Sequence, residues 1–310
     1  MKLLVAIVLL VVGFVMLIKG ADWFVDGAAG IAARFGIPQL VIGLTIVAMG
    51  TSAPEAAVSI TAGLAGSNEL ALSNVIGSNF FNLVLIVGVC AIIKPFNVDA
   101  TIMKRDFPIA ILGSVLLFFL IQDHNLARIE GLLLLAIMVI YLIATVISAI
   151  RNPVDYEMED HSLPMHTSLF YIAIGLAGII LGGDLVVDNA CAIATTFGLS
   201  ETLIGLTIVA IGTSLPELVT SVTASRKGES GLALGNVVGS NIFNIMFILG
   251  LSSSIHPISA DALALIDIPL LIGSTTIIFI YCKLRKEMGR FIGVLCVASY
   301  ILYSIYIVIR

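Results

Sequence analysis

The sequence predicts an all-α polytopic membrane protein, with ten transmembrane helices arranged as two inverted five-helix repeats. Three observations predict it. Apolar residues make up 59% of the chain and charged residues 11%, with a mean hydropathy of +1.14, a balance far outside that of soluble globular domains. Apolar runs of roughly 17 to 25 residues, enough to cross about 30 Å of hydrocarbon, recur between short polar breaks. Residues 20–88 also align with residues 182–250 without a gap, more than half of the positions being identical, which marks a duplication.

The spans are read at residues 3–35, 38–64, 70–93, 107–121, 129–150, 168–197, 199–224, 232–254, 262–282 and 291–309. The first is long enough to be tilted or broken. Lys2 followed by an apolar run resembles a secretory signal peptide. Leu169 to Leu181, followed by Gly182, Gly183 and Asp184, is an internal counterpart of that run, and an internal segment cannot be a signal peptide, so the first span is expected to be retained. The first repeat is placed at residues 1–150 and the second at 167–310. A polar linker at 151–166, with Pro153, Asp155, Glu157, Glu159, Asp160 and Pro164, reads as solvated.

Five spans per half is an odd number, so the second half enters the membrane in the opposite sense to the first. With the N-terminus outside, the cytoplasmic segments hold Arg34, Lys94, Lys104, Arg105, Arg151, Arg226, Lys227, Lys283, Arg285, Lys286 and Arg290, against Lys2, Arg128 and Arg310 outside. The positive-inside rule therefore favours a cell-membrane protein with both termini outside and a cytoplasmic linker.

A net charge of −5 without basic residues interleaved with aromatics gives no support to nucleic-acid binding. Cys90, Cys191, Cys282 and Cys296 lack CxxC spacing and a histidine cluster, so they read as small packing residues. There is no HExxH and no nucleophile elbow, and His124, His161, His166 and His256 lie outside the motif-bearing spans, so an enzyme is not expected. The expected partners are inorganic cations and the lipid bilayer, with no cofactor and with a monomer as the functional unit.

The chemistry lies in Gly50-Thr51-Ser52-Ala53-Pro54-Glu55 and its repeat Gly212-Thr213-Ser214-Leu215-Pro216-Glu217. A carboxylate inside a bilayer costs several kcal/mol, so it is seldom kept without a partner, a cavity or a function. Pro54 and Pro216 lack an N–H, which deprives the carbonyls of Gly50 and Gly212 of their helical partners. Thr51, Ser52, Thr213 and Ser214 add hydroxyls within a turn of each acid. A single protonated glutamic acid tying helices together, or a proline kink for packing, explains one such motif. Two, at symmetric positions with the acid beside the kink, favour an oxygen-lined site for Na⁺ or Ca²⁺.

The next span of each half carries Asn74, Ser78 and Asn82, then Asn236, Ser240 and Asn244, each trio on one helical face. Ser78, Asn82, Ser240 and Asn244 lie deeper and are the better ligand candidates. Asn74, Asn236 and the adjoining Gly77 and Gly239 read as packing residues. Asp22, Asp26, Asp184 and Asp188 suit interface anchoring or the mouths of access pathways, Lys19 pairs with Asp22 one turn away, and Glu69 and Glu201 read as surface residues.

These motifs resemble the alpha repeats of the calcium/cation antiporter superfamily, specifically its prokaryotic sodium/calcium exchanger group: GTSxPE in both halves, then GNxxGSNxxN in the second, with Ser73 replacing the first Gly in the other half. The resemblance covers nearly the whole chain. It implies a ten-helix fold whose second, third, seventh and eighth helices form the ion site while the first and sixth slide past them. It makes Glu55 and Glu217 the acids shared by Ca²⁺ and Na⁺, and Asn82 the central asparagine. Thr51, Ser78, Thr213, Ser240 and the backbone carbonyls of Ala48 and Ala210 would be flanking Na⁺ ligands.

Asn244 stands where some archaeal relatives have an aspartate, which leaves two central carboxylates. Two ionised glutamates balance one Ca²⁺, and the family's three-for-one exchange would move a net charge each cycle. Proton-coupled relatives carry a GNAxE-like core that neither half shows, so sodium coupling is preferred. The linker has no room for a regulatory domain. The alternatives are H⁺/Ca²⁺ exchange and a cation channel, which could use two buried acids and broken helices in the same way.

Overall fold

The apolar runs fold into helices in the order the sequence suggests, and several are broken. The computed structural model describes residues 2–64, 68–151, 163–198, 210–260 and 262–309. The first run is α1 (Lys2–Phe35). The second is α2 (Gln39–Thr51) and α3 (Ala53–Leu64), bent by 47° across Ser52. Then come α4 (68–93), α5 (Phe107–Leu120) and α6 (Arg128–Arg151). The second half holds α7 (Met165–Thr196), α8 (Ala210–Thr213), α9 (Leu215–Lys227), α10 (Ser230–Ile255), α11 (Ala264–Arg285) and α12 (Arg290–Ile309).

Among the described residues, seven helices are long and apolar enough to cross a membrane, or eight if the bent α2–α3 pair is one span. Of the other two expected spans, α5 has 14 residues and follows a π-helical turn holding Lys104, Arg105 and Asp106. The seventh begins in residues 199–209, outside the described residues. So do Glu201, the side chain of Glu69, and residues 152–162 of the expected linker, while α7 already begins at Met165.

Equivalent spans run in opposite directions. Strand β1 (Phe96–Asn97) precedes α5 and β2 (Asn125–Leu126) follows it, whereas β3 (Ile258–Ser259) precedes α11 and β4 (Glu287–Met288) follows it. Because β1 pairs antiparallel with β4, and β2 with β3, α5 and α11 are antiparallel and clasped at both ends. The same duplication shows in close helix crossings. A Cβ on Gly293 would lie 2.7 Å from the Gly88 carbonyl oxygen, and one on Gly131, the repeat counterpart of Gly293, 2.6 Å from that of Gly250.

The two longest helices, α1 and α7, also run antiparallel along a seam of small residues. A Cβ on Gly175 would come within 2.6 Å of the Phe24 nitrogen, and one on Gly182 within 2.7 Å of the Leu17 nitrogen. Small residues are how helices approach closely where no hydrophobic effect drives them together. This pair builds a second core from residues such as Leu17, Phe24, Ile179 and Val186, joined by Ile42 and Val47 of α2, Ala224 of α9 and Leu232 of α10. The larger core gathers α4, α5, α6, α10, α11 and α12, with α10 the most enclosed and α12 the least. Outward faces are apolar, as at Ile129 (81% exposed) and Leu302 (68%), the surface a helix presents to lipid.

Gly175→Val is expected to lower the unfolding temperature of the detergent-purified protein, since overpacking costs about 1–3 kcal/mol. Gly77→Ala, whose Cβ meets nothing within 4 Å, is expected to leave it unchanged or slightly raised, Ala being the better helix former. Equal loss in both variants would contradict the close approach of α1 and α7.

Candidate cation site

Both motif segments break at the serine. Ser52 (φ −81°, ψ 9°) separates α2 from α3, and Ser214 (φ −93°, ψ 6°) separates α8 from α9. Pro54 and Pro216 therefore fall in the first turn of the following helix, where a missing N–H is harmless. Glu55 and Glu217 also occupy those first turns. One expectation is corrected here. The Gly50 carbonyl accepts a backbone N–H at the break, because the chain tightens there instead of leaving that oxygen unpaired.

The two breaks face each other. The Ser52 hydroxyl donates to Glu217 Oε1 at 2.8 Å, and the Ser214 hydroxyl donates to Glu55 Oε1 at 2.9 Å. All four residues are fully buried. Each glutamate is thus held by the serine of the opposite motif, and Ser214 Oγ also lies 3.1 Å from Ser78 Oγ. The other carboxylate oxygen of each acid has no hydrogen-bond partner. The same is true of both amide atoms of Asn82, of Asn244 Oδ1 and of Ser240 Oγ, all of them buried. An unpaired buried polar atom costs about 1–3 kcal/mol, and these six belong to the two motif acids and to the helices α4 and α10 that follow them. Their chemistry fits a bound hard cation: carboxylate, amide and hydroxyl oxygens are the ligands Ca²⁺ takes, about six to eight at a time.

The remaining expected ligands are placed less openly. The Thr51 hydroxyl lies between Asn236 Oδ1 at 3.0 Å and the Ala48 carbonyl at 3.4 Å, and that carbonyl also accepts the Ser52 N–H at 3.0 Å. A cation at Ala48 would compete with these bonds. Thr213 is half-buried and Ala210 opens α8.

Asn236 is a scaffold residue, its amide donating to Ser221 Oγ at 2.9 Å while it receives Thr51. Asn74 donates to Ser59 Oγ at 3.2 Å in the same manner. Gly239 is tightly packed, since a Cβ there would lie 2.8 Å from Leu44 Cα, whereas Gly77 faces open space and has no such packing role.

Three features were not read from the sequence. Asn79 and Asn241 exchange side-chain bonds with each other's backbone carbonyl at 3.1 and 3.0 Å, and Asn244 Nδ2 donates to Asn79 Oδ1 at 3.0 Å. Their recurrence as Ser-Asn in both halves was the available signal. Secondly, α4 and α10 widen into π-helical turns at Phe81–Ile86 and Asn244–Leu249, so Asn82 and Asn244 sit where the regular helical ladder is interrupted, a frequent mark of functional positions. Thirdly, Lys227 donates to Asp26 Oδ1 at 2.7 Å and to the Asp22 carbonyl at 3.0 Å. It tethers α9 to α1, while Lys19 pairs with Asp22 at 3.8 Å as expected.

Fold and site together define a helical, multi-pass membrane protein built around a crossed pair of buried carboxylates. The family described as sodium/calcium exchanger protein matches the chain twice, over residues 5–147 and 167–309. The sodium/calcium exchanger MaX1 of Methanosarcina acetivorans is 32% identical over 96% of this chain and 97% of its own length. The inner membrane protein YrbG of Escherichia coli is 37% identical over 97% and 96%. A solved structure of the sodium-calcium exchanger NCX_Mj, soaked with Na⁺ and Sr²⁺, matches with a TM-score of 0.87 at 33% identity, covering 97% of each chain. The chain belongs to the sodium/calcium exchanger family.

Asn82 and Asn241 are expected to respond oppositely to truncation. Asn82→Ala removes amide atoms that have no partner, so the ion-free protein should unfold at the same temperature or higher while its stabilisation by added Ca²⁺ falls. Asn241→Ala breaks the exchange with Asn79 and should cost about 1–3 kcal/mol without any ion present. Thermal unfolding with and without Ca²⁺ separates them, and a matching loss in the ion-free state would contradict the assignment.

Proposed function

We propose that the protein is a secondary active antiporter that exchanges Na⁺ for Ca²⁺ across the cell membrane by alternating access. The crossed Ser52–Glu217 and Ser214–Glu55 bonds carry this reading. They bring two acids to one place and leave one oxygen of each for an ion. Two ionised glutamates match the charge of one Ca²⁺. Three Na⁺ at the same centre exceed it by one, so exchange in that ratio moves a charge worth about 2.3 kcal/mol per 100 mV.

Glu55, Glu217, Asn82 and Asn244 are the central ligands in this account. Ser78, Ser240, Thr51, Thr213, Ser52, Ser214 and the carbonyls of Ala48 and Ala210 flank them. The division into repeats at 1–150 and 167–310 is supported by the twofold match of the family pattern. Both halves of the site come from one chain, which supports a functional monomer.

The placement of basic residues supports termini outside and the linker inside. A relative named as an inner membrane protein supports the cell membrane. The tight α1–α7 seam supports these two helices moving as one unit past the site-bearing helices. No cofactor takes part, the cargo being the cations themselves.

In proteoliposomes an outward Na⁺ gradient should drive Ca²⁺ uptake, and an inside-positive voltage should speed it, because each Ca²⁺ entering is outweighed by the Na⁺ leaving. Glu55→Gln or Glu217→Gln should reduce the flux to the level of empty vesicles while the protein stays folded. Uptake that follows a pH gradient and ignores Na⁺ would replace this reading with H⁺/Ca²⁺ exchange. Current without a counter-ion would replace it with a channel.

A further inference from the structure

A cavity of about 490 Å³ lies at the end of the molecule where β1 pairs with β4. It is formed between the approach to α5 and the C-terminal end of α11, and Lys104, Lys283 and Lys286 line it together with Met103, Pro108 and Phe279. Among the described residues, none of the three ammonium groups forms an ion pair. The ion pairs present are Lys19–Asp22, Arg105–Asp106 and Lys227 with Asp22 and Asp26. Lys283 Nζ rests 5.8 Å above the Phe279 ring centre, a contact that leaves its donors available.

The duplication supplies an internal control. Lys286 has φ 60°, and its carbonyl accepts the Val98 N–H at 3.0 Å. Its repeat counterpart His124 has φ 62°, and that carbonyl accepts the Ala260 N–H at 2.9 Å. The strained turn is therefore part of the clasp at both ends and needs no ligand to explain it. The charge is not shared. The counterparts of Lys104 and Lys283 are Ile266 and Ile121, so one architecture carries lysines at one end only. Topology alone asks for cations on a face, but not for three without carboxylate partners around one apolar-walled hollow.

We propose that this cavity binds the phosphate of an anionic phospholipid from the leaflet on the basic face, which the proposed orientation makes cytoplasmic. The three lysines take the headgroup phosphate, and Met103, Pro108 and Phe279 take the glycerol and upper acyl carbons. Two observations favour a lipid over a soluble phosphate. The walls are largely apolar, and the same stretch of α11 carries exposed Ile280 (49%) and Leu284 (76%), so lipid-facing surface adjoins the cavity. Basic pockets between membrane helices are a general means of holding anionic headgroups. The proposal stands whichever ion drives transport.

The test is a titration of the detergent-purified full chain, read by native mass spectrometry, with phosphatidylglycerol, phosphatidylcholine of equal chain length, or inorganic phosphate. Phosphatidylglycerol should bind the wild type, with affinity falling about fivefold for each lysine removed, and about a hundredfold in K104Q/K283Q/K286Q. Phosphatidylcholine should not compete. The double variant R151Q/R285Q, on the same face but outside the cavity lining, should bind as the wild type does. Three results would each overturn the proposal: equal phosphatidylglycerol binding by the triple variant, an equal loss in R151Q/R285Q, or lysine-dependent binding of inorganic phosphate alone.

Discussion

A carboxylate enclosed among helices must have its charge met, because an isolated buried anion is too costly to keep. Asp106 is met by Arg105 and Tyr141, whereas Glu55 and Glu217 are met by exchange: the serine at each helix break donates to the acid beyond the other break. Neither motif can do this alone, so the contact requires both halves of the chain to be folded together. Hydroxyl donors suit a transport site better than a lysine or arginine would. A neutral hydroxyl fixes a carboxylate in position without supplying a counter-charge, as the proposed cation site requires.

Much of the interior serves to keep these two turns in register. Thr51, Asn236 and Ser221 form a buried chain that links the end of α2 through α10 to α9. Asn79 and Asn241 lock α4 to α10 beside the π-helical turns that carry Asn82 and Asn244. Gly239 lets α10 lie directly on the backbone near Leu44. Antiparallel α5 and α11, with a strand clasp at each end, frame the core. Outside it, the α1–α7 pair meets the rest of the molecule through the second apolar core and the Lys227 tether. Repeat symmetry puts Ala65 where Lys227 would recur, so that tether belongs to one side only.

The membrane character and the duplication could be read directly, since apolar composition, span length and a gapless internal match each have one physical meaning. The identity of the buried acids was equally plain, because Glu55 and Glu217 are anomalous in such surroundings. The crossing of the motifs was not visible, since a sequence shows that Ser52 and Glu55 are neighbours but not that Ser52 serves Glu217. Missing a proline N–H suggested an unpaired Gly50 carbonyl, and the tightened turn at Ser52 shows how local backbone adjustment cancels that inference. The π-helical turns left no trace in the pattern of apolar residues, because one extra residue in a buried helix changes its face without exposing it. Asn79 and Asn241 were overlooked beside the more regularly spaced trios, although their partners turned out to be each other.

The central claim is that Glu55 and Glu217 form one cation site and not two. Equilibrium Ca²⁺ binding to the purified protein, measured as ions bound per chain for the wild type, Glu55→Gln and Glu217→Gln, tests this most directly. One Ca²⁺ per chain, lost in either single variant, is the predicted result. Two Ca²⁺ per chain, with each variant keeping one, would contradict it.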